Sequence, residues 1–317
     1  GVVSTLEKPA ASWTVDVDSV VRATFDQPNT AVDQYFGFSV DMTDTWLAVG
    51  ARQDAQFGTD SGAVYMYRNI GGVWTPHSKL TALYGQAGDG FGTSVAIYGT
   101  RLIVGASGVD GFPTLISNAG AFYSFTFNGT HWVQAAQITS PNPVVNGFFG
   151  TSVAYDGDVV VVGASGENGN RGRAYAYRTL TNFSDPLALD IPAANVSSAT
   201  GFSVSVYDPA LGNANDETIA IGAYNENGSQ GAAYVLSGST FSTITTLVDP
   251  SPGSNRYFGY SVSINNGRVA VGAPTATAAP SGRVVVFSGS GYSTAETLTR
   301  PTGAGQFGFD VDLEANS

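Results

Sequence analysis

The side chains that could carry out chemistry are few and scattered. The 317-residue chain has two histidines, His77 and His131, and no cysteine. That removes disulfides, thiolate nucleophiles and thiolate metal sites together. Serine follows Gly-Ala at Gly105-Ala106-Ser107-Gly108 and at Gly163-Ala164-Ser165-Gly166. A serine hydrolase, however, needs a histidine base and a strand-to-helix elbow, and neither segment has the G-x-S-x-G spacing. Both histidines lack an acid beside them in sequence and read as surface residues. Carboxylates are more numerous. Asp54, Asp60, Asp110, Glu167 and Glu226 sit in polar segments between hydrophobic runs, and an acid pair for glycoside cleavage can converge from such segments without any local signature. From Asp208 to Thr218, Asn213, Asn215 and Glu217 alternate, with Asp208 and Asp216 close by. These are oxygen donors of the kind calcium takes in sets of six to eight. Asn128, Asn182, Asn195 and Asn227 open N-glycosylation sequons. All four fall in expected turns or loops, where an acceptor is exposed, although chance alone supplies this number.

The elements that position these residues follow from a repeat. Phe-Gly-x-Ser-Val followed by a hydrophobic run ending in Gly-Ala recurs from Phe36 to Ala51, Phe91 to Ala106, Phe149 to Ala164 and Phe258 to Ala273. A weaker copy runs from Gly201 to Ala223, and an unfinished one starts at Phe307. A period of roughly 50 to 60 residues means radial or linear repetition of one small unit. Within the second unit, Phe91–Ile97 alternates, Arg101–Ala106 is continuously apolar, Gly120–Phe127 alternates around its own turn signals, and Trp132–Ile138 follows the Asn128-Gly129 hairpin turn. Period-two alternation with Asn-Gly and Asp-Gly turns predicts four antiparallel strands, A to D, per unit. Trp74, Trp132, Phe183, Phe241 and Tyr292 each precede Leu or Ile by six residues. That even spacing predicts one shared strand face for both, as packing between units.

Composition bounds the partners. The net charge is −12, only 12% of residues are charged, and Lys8 and Lys79 are the sole lysines. Clustered cations for phosphate are missing, which argues against nucleic acid and against anionic membranes. No stretch approaches 18 consecutive apolar residues, so no membrane insertion is expected. The 40 glycines have no three-residue period, which excludes collagen.

Phe-Gly with Gly-Ala-Pro at this spacing, literal at Phe258-Gly259 and Gly272-Ala273-Pro274, resembles the FG-GAP repeat family, best known from the β-propeller of integrin α subunits. The resemblance implies an all-β propeller of four-stranded antiparallel blades over residues 1–317 as a single domain. Repeats begin near 36, 91, 149, 201, 258 and 307. The tail from 307 to 317 would supply strand A, and residues 1–34 strands B to D, of a sixth and closing blade. A seventh blade would need chain beyond Ser317. Ser39, Ser94, Ser152, Ser203 and Ser261 would line the axis. Asp310 would complete their ring, with Asp312 beside it as a second carboxylate for a cation. Integrin-like members carry calcium loops between strands A and B. Here those connections are short turns, and the Asp208–Thr218 exception does not reproduce the family's ligand spacing, so no cofactor is required and one calcium site is the most the loops offer.

These observations predict a non-catalytic extracellular or cell-surface module for recognition or adhesion. Protein or glycan ligands would bind on the face of the B–C loops, where Asp54, Asp60, Asp110, Glu167 and Glu226 give an acidic cast. Two other readings stand beside it. One is a structural subunit of an extracellular fibre, sheath or appendage that packs on copies of itself, and the other a carbohydrate-active enzyme using loop carboxylates.

Overall fold

In the computed structural model, the described residues are 34–111, 115–179, 182–191, 195–209, 216–274, 282–299 and 306–314. They form five four-stranded antiparallel sheets, each a simple meander. Sheet one comprises β1 (Phe36–Met42), β2 (Trp46–Ala51), β3 (Ala63–Ile70) and β4 (Val73–Leu80). Sheet two comprises β5 (Ser94–Tyr98), β6 (Arg101–Ala106), β7 (Ala121–Phe127) and β8 (Trp132–Thr139). Sheet three holds β9 (Phe149–Asp156), β10 (Val159–Ala164), β11 (Arg173–Arg178) and β12 (Leu187–Leu189). Sheet four holds β13 (Ser203–Tyr207), β14 (Thr218–Ala223), β15 (Ala232–Ser237) and β16 (Thr243–Leu247). Sheet five holds β17 (Ser261–Asn265), β18 (Arg268–Ala273), β19 (Arg283–Ser288) and β20 (Thr294–Thr299). The first strand of each sheet packs on the first strand of the next, as in the blades of a β-propeller, which leaves the fourth strands outermost. The one-residue offset between the predicted and observed strand C of blade two is a matter of where the ladder begins.

The second strands of blades two to four are apolar without alternation because a blade covers each of their faces. Val159 and Val161 pack toward blade four while Val160 and Val162 pack toward blade two, and all four are fully buried. Similar partitions place Leu102 and Val104 on one side of blade two and Ile103 on the other. Cores therefore lie between blades and not within them.

The repeat motif is the joint between neighbouring blades. Ser39 Oγ donates to the Gly92 carbonyl at 2.9 Å, Ser94 to Gly150 at 3.0 Å, Ser152 to Gly201 at 2.8 Å, Ser203 to Gly259 at 3.0 Å and Ser261 to Gly308 at 3.0 Å. Each bond runs from the serine of one Phe-Gly-x-Ser to the glycine of the next. Directly beneath it lies the glycine of Gly-Ala. A Cβ on Gly105 would stand 2.1 Å from the Gly150 carbonyl oxygen and 2.2 Å from Ser94 Oγ, so only glycine fits. The phenylalanine makes a second bond, as Phe91 N–H donates to the Ser61 carbonyl and Phe149 N–H to the Ala119 carbonyl, both at 3.1 Å. Its ring is fully buried at Phe91, Phe149 and Phe258. Thr200 stands in the phenylalanine's place in the weaker copy and keeps the backbone bond, to Arg171 at 2.9 Å. The serines expected to line the axis are thus hydrogen-bond donors across the joint.

One packing expectation is corrected. The aromatic and the aliphatic residue six apart on the outer strand face opposite interfaces. Trp132 packs with Leu80 between blades one and two, while Ile138 packs between blades two and three. Phe241 and Leu247 divide in the same way. In blades one and two a register shift opposite Met66/Tyr67 and Ser124/Phe125 inserts one residue between the pair and inverts the parity. In blades three to five the aromatic precedes the strand at positive φ, 63° at Phe183, 52° at Phe241 and 58° at Tyr292.

Residues 306–314 continue the pattern after blade five. Phe307 bridges to Gly282, and Ser263 Oγ accepts from Leu313 N–H at 3.0 Å. The head half of the expected closing blade, residues 1–33, lies outside the described residues, as do 315–317.

The joint predicts an order of effects in urea unfolding. Ser94→Ala strands a buried carbonyl and is expected to cost about 1–3 kcal/mol. Gly105→Ala should cost about 3 kcal/mol or more, because both clashing atoms are held by the joint. The double variant should not recover, since the Gly150 oxygen still obstructs the new methyl. Recovery to the level of Ser94→Ala would show that the serine alone dictates the glycine.

Candidate functional site

Strand A begins where strand B ends, so the D–A and B–C loops share one end of the blades. The five acids predicted to give this face its charge do not share one fate. Asp54, Glu167 and Glu226 are 1%, 0% and 2% exposed, which corrects the expectation that they present carboxylates to a ligand. Each lies three residues after Gly-Ala and meets a tyrosine two residues into strand C. Tyr65 Oη donates to Asp54 at 2.9 Å, Tyr175 Oη to Glu167 at 2.5 Å, and Tyr234 is hydrogen-bonded to Glu226. Lys79 Nζ adds an ion pair to Asp54 at 2.8 Å, and Ser140 Oγ donates to Glu167 at 2.6 Å. Burial first, and then the bound carboxylate, pushes all three phenols well above their usual range. Asp60 is half-buried in a left-handed turn at φ 59°. Asp110 is exposed, its Oδ1 accepting Asn118 N–H at 3.0 Å.

The Asp208–Thr218 segment is only partly described, with Asn213 and Asn215 outside the described residues. Glu217 is buried and paired with Arg178, and Asp208 N–H donates to Asp156 Oδ2 at 2.7 Å. Asp216 begins the described part after the gap. Among the described residues no three His, Asp or Glu side chains are grouped to hold a metal ion. Of the sequon asparagines, Asn128 is exposed with Oδ1 accepting from Thr130 and His131 N–H. Asn182 and Asn227 are exposed in left-handed turns. Asn195 is exposed too, but its Nδ2 is held by Glu226 and by Asn227 Oδ1 at 2.7 Å. His77, half-buried, lies edge-on to Trp46 at 4.9 Å between ring centroids, and burial lowers its pKa.

What sequence reading missed is aromatic. The x of Phe-Gly-x-Ser is Phe38, Thr93, Thr151, Phe202, Tyr260 and Phe309 in chain order. The two threonines bond locally, Thr93 Oγ1 to the Gly90 carbonyl and Thr151 Oγ1 to the Phe148 carbonyl, both at 2.7 Å. The aromatics join one another. Phe202 and Tyr260 are 4.8 Å apart between centroids, Tyr260 and Phe309 4.9 Å, and Tyr224 joins Phe202 at 4.6 Å and Tyr257 at 5.8 Å. Tilted and edge-on rings at these distances attract one another. Phe309 is 51% exposed and Phe38 43%, and the others are half-buried. The result is a continuous aromatic arc over blades four and five and the tail, on the loop face around the axis. The identity of x at a fixed offset in each copy was the available signal.

The inner strand β1 carries Asp41, and the tail after blade five carries Asp310 and Asp312. Asp41 Oδ2 accepts Ile97 N–H at 2.7 Å and Oδ1 accepts Met42 N–H at 2.8 Å. Burial nevertheless raises its pKa to about 7, with the Asp312 charge adding to the rise. Asp310 is raised in the same direction by burial and Asp312. Because Asp41 binds its proton more tightly folded than unfolded, where 3.8 is its ordinary value, its contribution to stability is complete below about pH 4 and lost as pH rises through 7. Asp41→Asn should therefore gain melting temperature relative to the wild type between pH 5 and pH 8. A constant difference between the two proteins across that range would place the titration elsewhere.

No helix among the described residues is long and apolar enough to cross a membrane. No curated protein matches the chain at a significant level. The family model described as FG-GAP repeat matches residues 25–67, 74–125 and 132–177, each span from the second onward running from strand D of one blade to strand C of the next. The serine-to-glycine joint found within those spans continues unchanged through Ser203 and Ser261, so the chain carries FG-GAP repeats between residues 25 and 177 and the same joint beyond them.

Proposed function

We propose that this protein is a non-catalytic recognition module of an extracellular or cell-surface protein, and that its ligand, a protein or a glycan, seats on the loop face over the aromatic arc. The observation that carries this reading is the arc itself. Tyrosine and phenylalanine offer large, rigid contact area at little conformational cost, and Phe309 and Phe38 leave about half of theirs in solvent. Asn225, Ser197, Ser165 and Asn170 line a cleft beside Tyr224, with polar groups of the kind that orient a ligand against apolar contacts. The turned-in acids support binding over hydrolysis, since a carboxylate that cannot meet solvent cannot meet a substrate.

A closed six-bladed ring belongs to the same proposal. Leu47, Val49 and Tyr67 are buried on the face of blade one turned away from blade two, where no described sheet packs. The Asp312 charge on the tail is felt at Asp41 on β1, which supports the tail and the first blade lying side by side.

The test is retention on surfaces coated with defined extracellular proteins and glycans. Wild-type protein is expected to be retained on one of them. A variant carrying Phe202→Ser, Tyr260→Ser and Phe309→Ser should lose at least tenfold in affinity while keeping its β-sheet circular dichroism, because buried aromatic contacts dominate interfaces. Equal retention of the two proteins would move the site away from the arc.

A further inference from the structure

Asp54, Glu167 and Glu226 on the loop face are spent internally, whereas Arg52 on the same face has no acid partner among the described residues. Arg52 follows Gly50-Ala51 directly and reaches over the inner strand of blade one. Its guanidinium lies 4.0 Å from the Phe38 ring centroid and 5.5 Å from that of Tyr35, and those two rings are edge-on at 6.4 Å. Its Nε is buried with no hydrogen-bond partner. Among the described residues no carboxylate pairs with it, whereas Lys79, Arg173, Arg178 and Arg283 each hold an acid. Half-buried Asp60 and exposed Asp110 and Asp310 make no ion pair with it either. A guanidinium set over the Phe38 ring presents its remaining donors as a planar fork, which matches a carboxylate.

We infer that Arg52, set over the rings of Phe38 and Tyr35, is the anchor for a carboxylate of a partner protein, carried on a peptide segment whose apolar side chains rest on the exposed rings. The inference rests on the recognition reading above and names the partner's chemistry. A protein is favoured over an acidic polysaccharide by two observations. Arginine with tyrosine and phenylalanine is the composition of protein interface centres. The chain's net charge of −12 repels a polyanion, while one carboxylate needs only one cation.

The test is nuclear magnetic resonance of the arginine Nε–H groups during titration with an acetylated heptapeptide of leucines and glycines bearing one central aspartate. Its asparagine analogue and a glucuronate oligosaccharide are titrated in parallel. The aspartate peptide should shift the Arg52 signal and bind at least tenfold more tightly than the asparagine peptide, the worth of one charge-assisted hydrogen bond. Arg52→Gln should abolish that preference, and Arg52→Lys, which keeps the charge but not the planar fork, should retain only part of it. Equal binding of the two peptides, an unchanged preference in Arg52→Gln, stronger binding of the glucuronate, or no shift from any probe would each overturn the assignment. None of these touches the recognition reading, which is tested through Phe202, Tyr260 and Phe309.

Discussion

The interaction on which the rest of the structure depends is the hydrogen bond from a strand-A serine to the glycine carbonyl of the following repeat. It accounts for most of the repeat motif at once. The serine must donate, the first glycine must offer its carbonyl at φ 82° to 89°, and the glycine of Gly-Ala must be bare because donor and acceptor meet above it. Each such bond contributes only about 0.5–1.5 kcal/mol. Its larger effect is geometric, since it fixes how near two blades approach and hence how their side chains interlock. Fully buried alanines at 51, 106, 164, 223 and 273 follow from that closeness.

A frame set by backbone and small residues also explains the disposition of charge. Blades this close leave little room beneath the B–C loops, and a carboxylate three residues after Gly-Ala falls inside. There a tyrosine hydroxyl from strand C meets it, with Lys79, Ser140 or Asn195 completing its partners. An unpaired buried carboxylate would be costly, and a fully bonded one rigidifies its loop. Where valine takes the acid's place, at Val109, the same loop is held by apolar burial. The acids therefore tie the loops of blades one, three and four, and the face they were expected to charge keeps the aromatics, Arg52 and Asp110.

How much of this was legible follows from which forces leave a local trace. Strands, turns and blade boundaries did, because alternation and Gly-containing turns are local. The second strand of blade two runs Arg101–Ala106 as read from the sequence. The serine's partner did not, since a donor and a carbonyl 47 to 56 residues apart have no sequence signature beyond recurrence. The outer-strand pairs were misassigned because a single inserted residue reverses a face, and nothing at His77 or Ala135 announces a bulge. The direction of Asp54, Glu167 and Glu226 was misjudged for a related reason. A carboxylate in a polar loop looks solvated until its tyrosine, 8 to 11 residues on, is brought against it.

The same joint explains where variation is permitted. Within Phe-Gly-x-Ser, the phenylalanine is buried between blades, the glycine carries the accepting carbonyl, and the serine donates. Alternation of side chains along the strand turns x away from the joint, so it is the one position of the motif that the joint does not restrict. It is threonine on blades two and three, bonded to its own loop, and aromatic on blade one, on blades four and five and at Phe309. The mouth is therefore not uniform around the axis. One side is small and polar, the other broad and apolar, with the guanidinium of Arg52 placed over Phe38 within the aromatic set. The joint ends at residue 310, where an aspartate stands in the serine's place. When ionised it can only accept, so it cannot donate to a glycine carbonyl as the five serines do. The repeat thus constrains every residue of its motif except the one that gives the mouth its chemistry, and specificity can change there without loosening the blades.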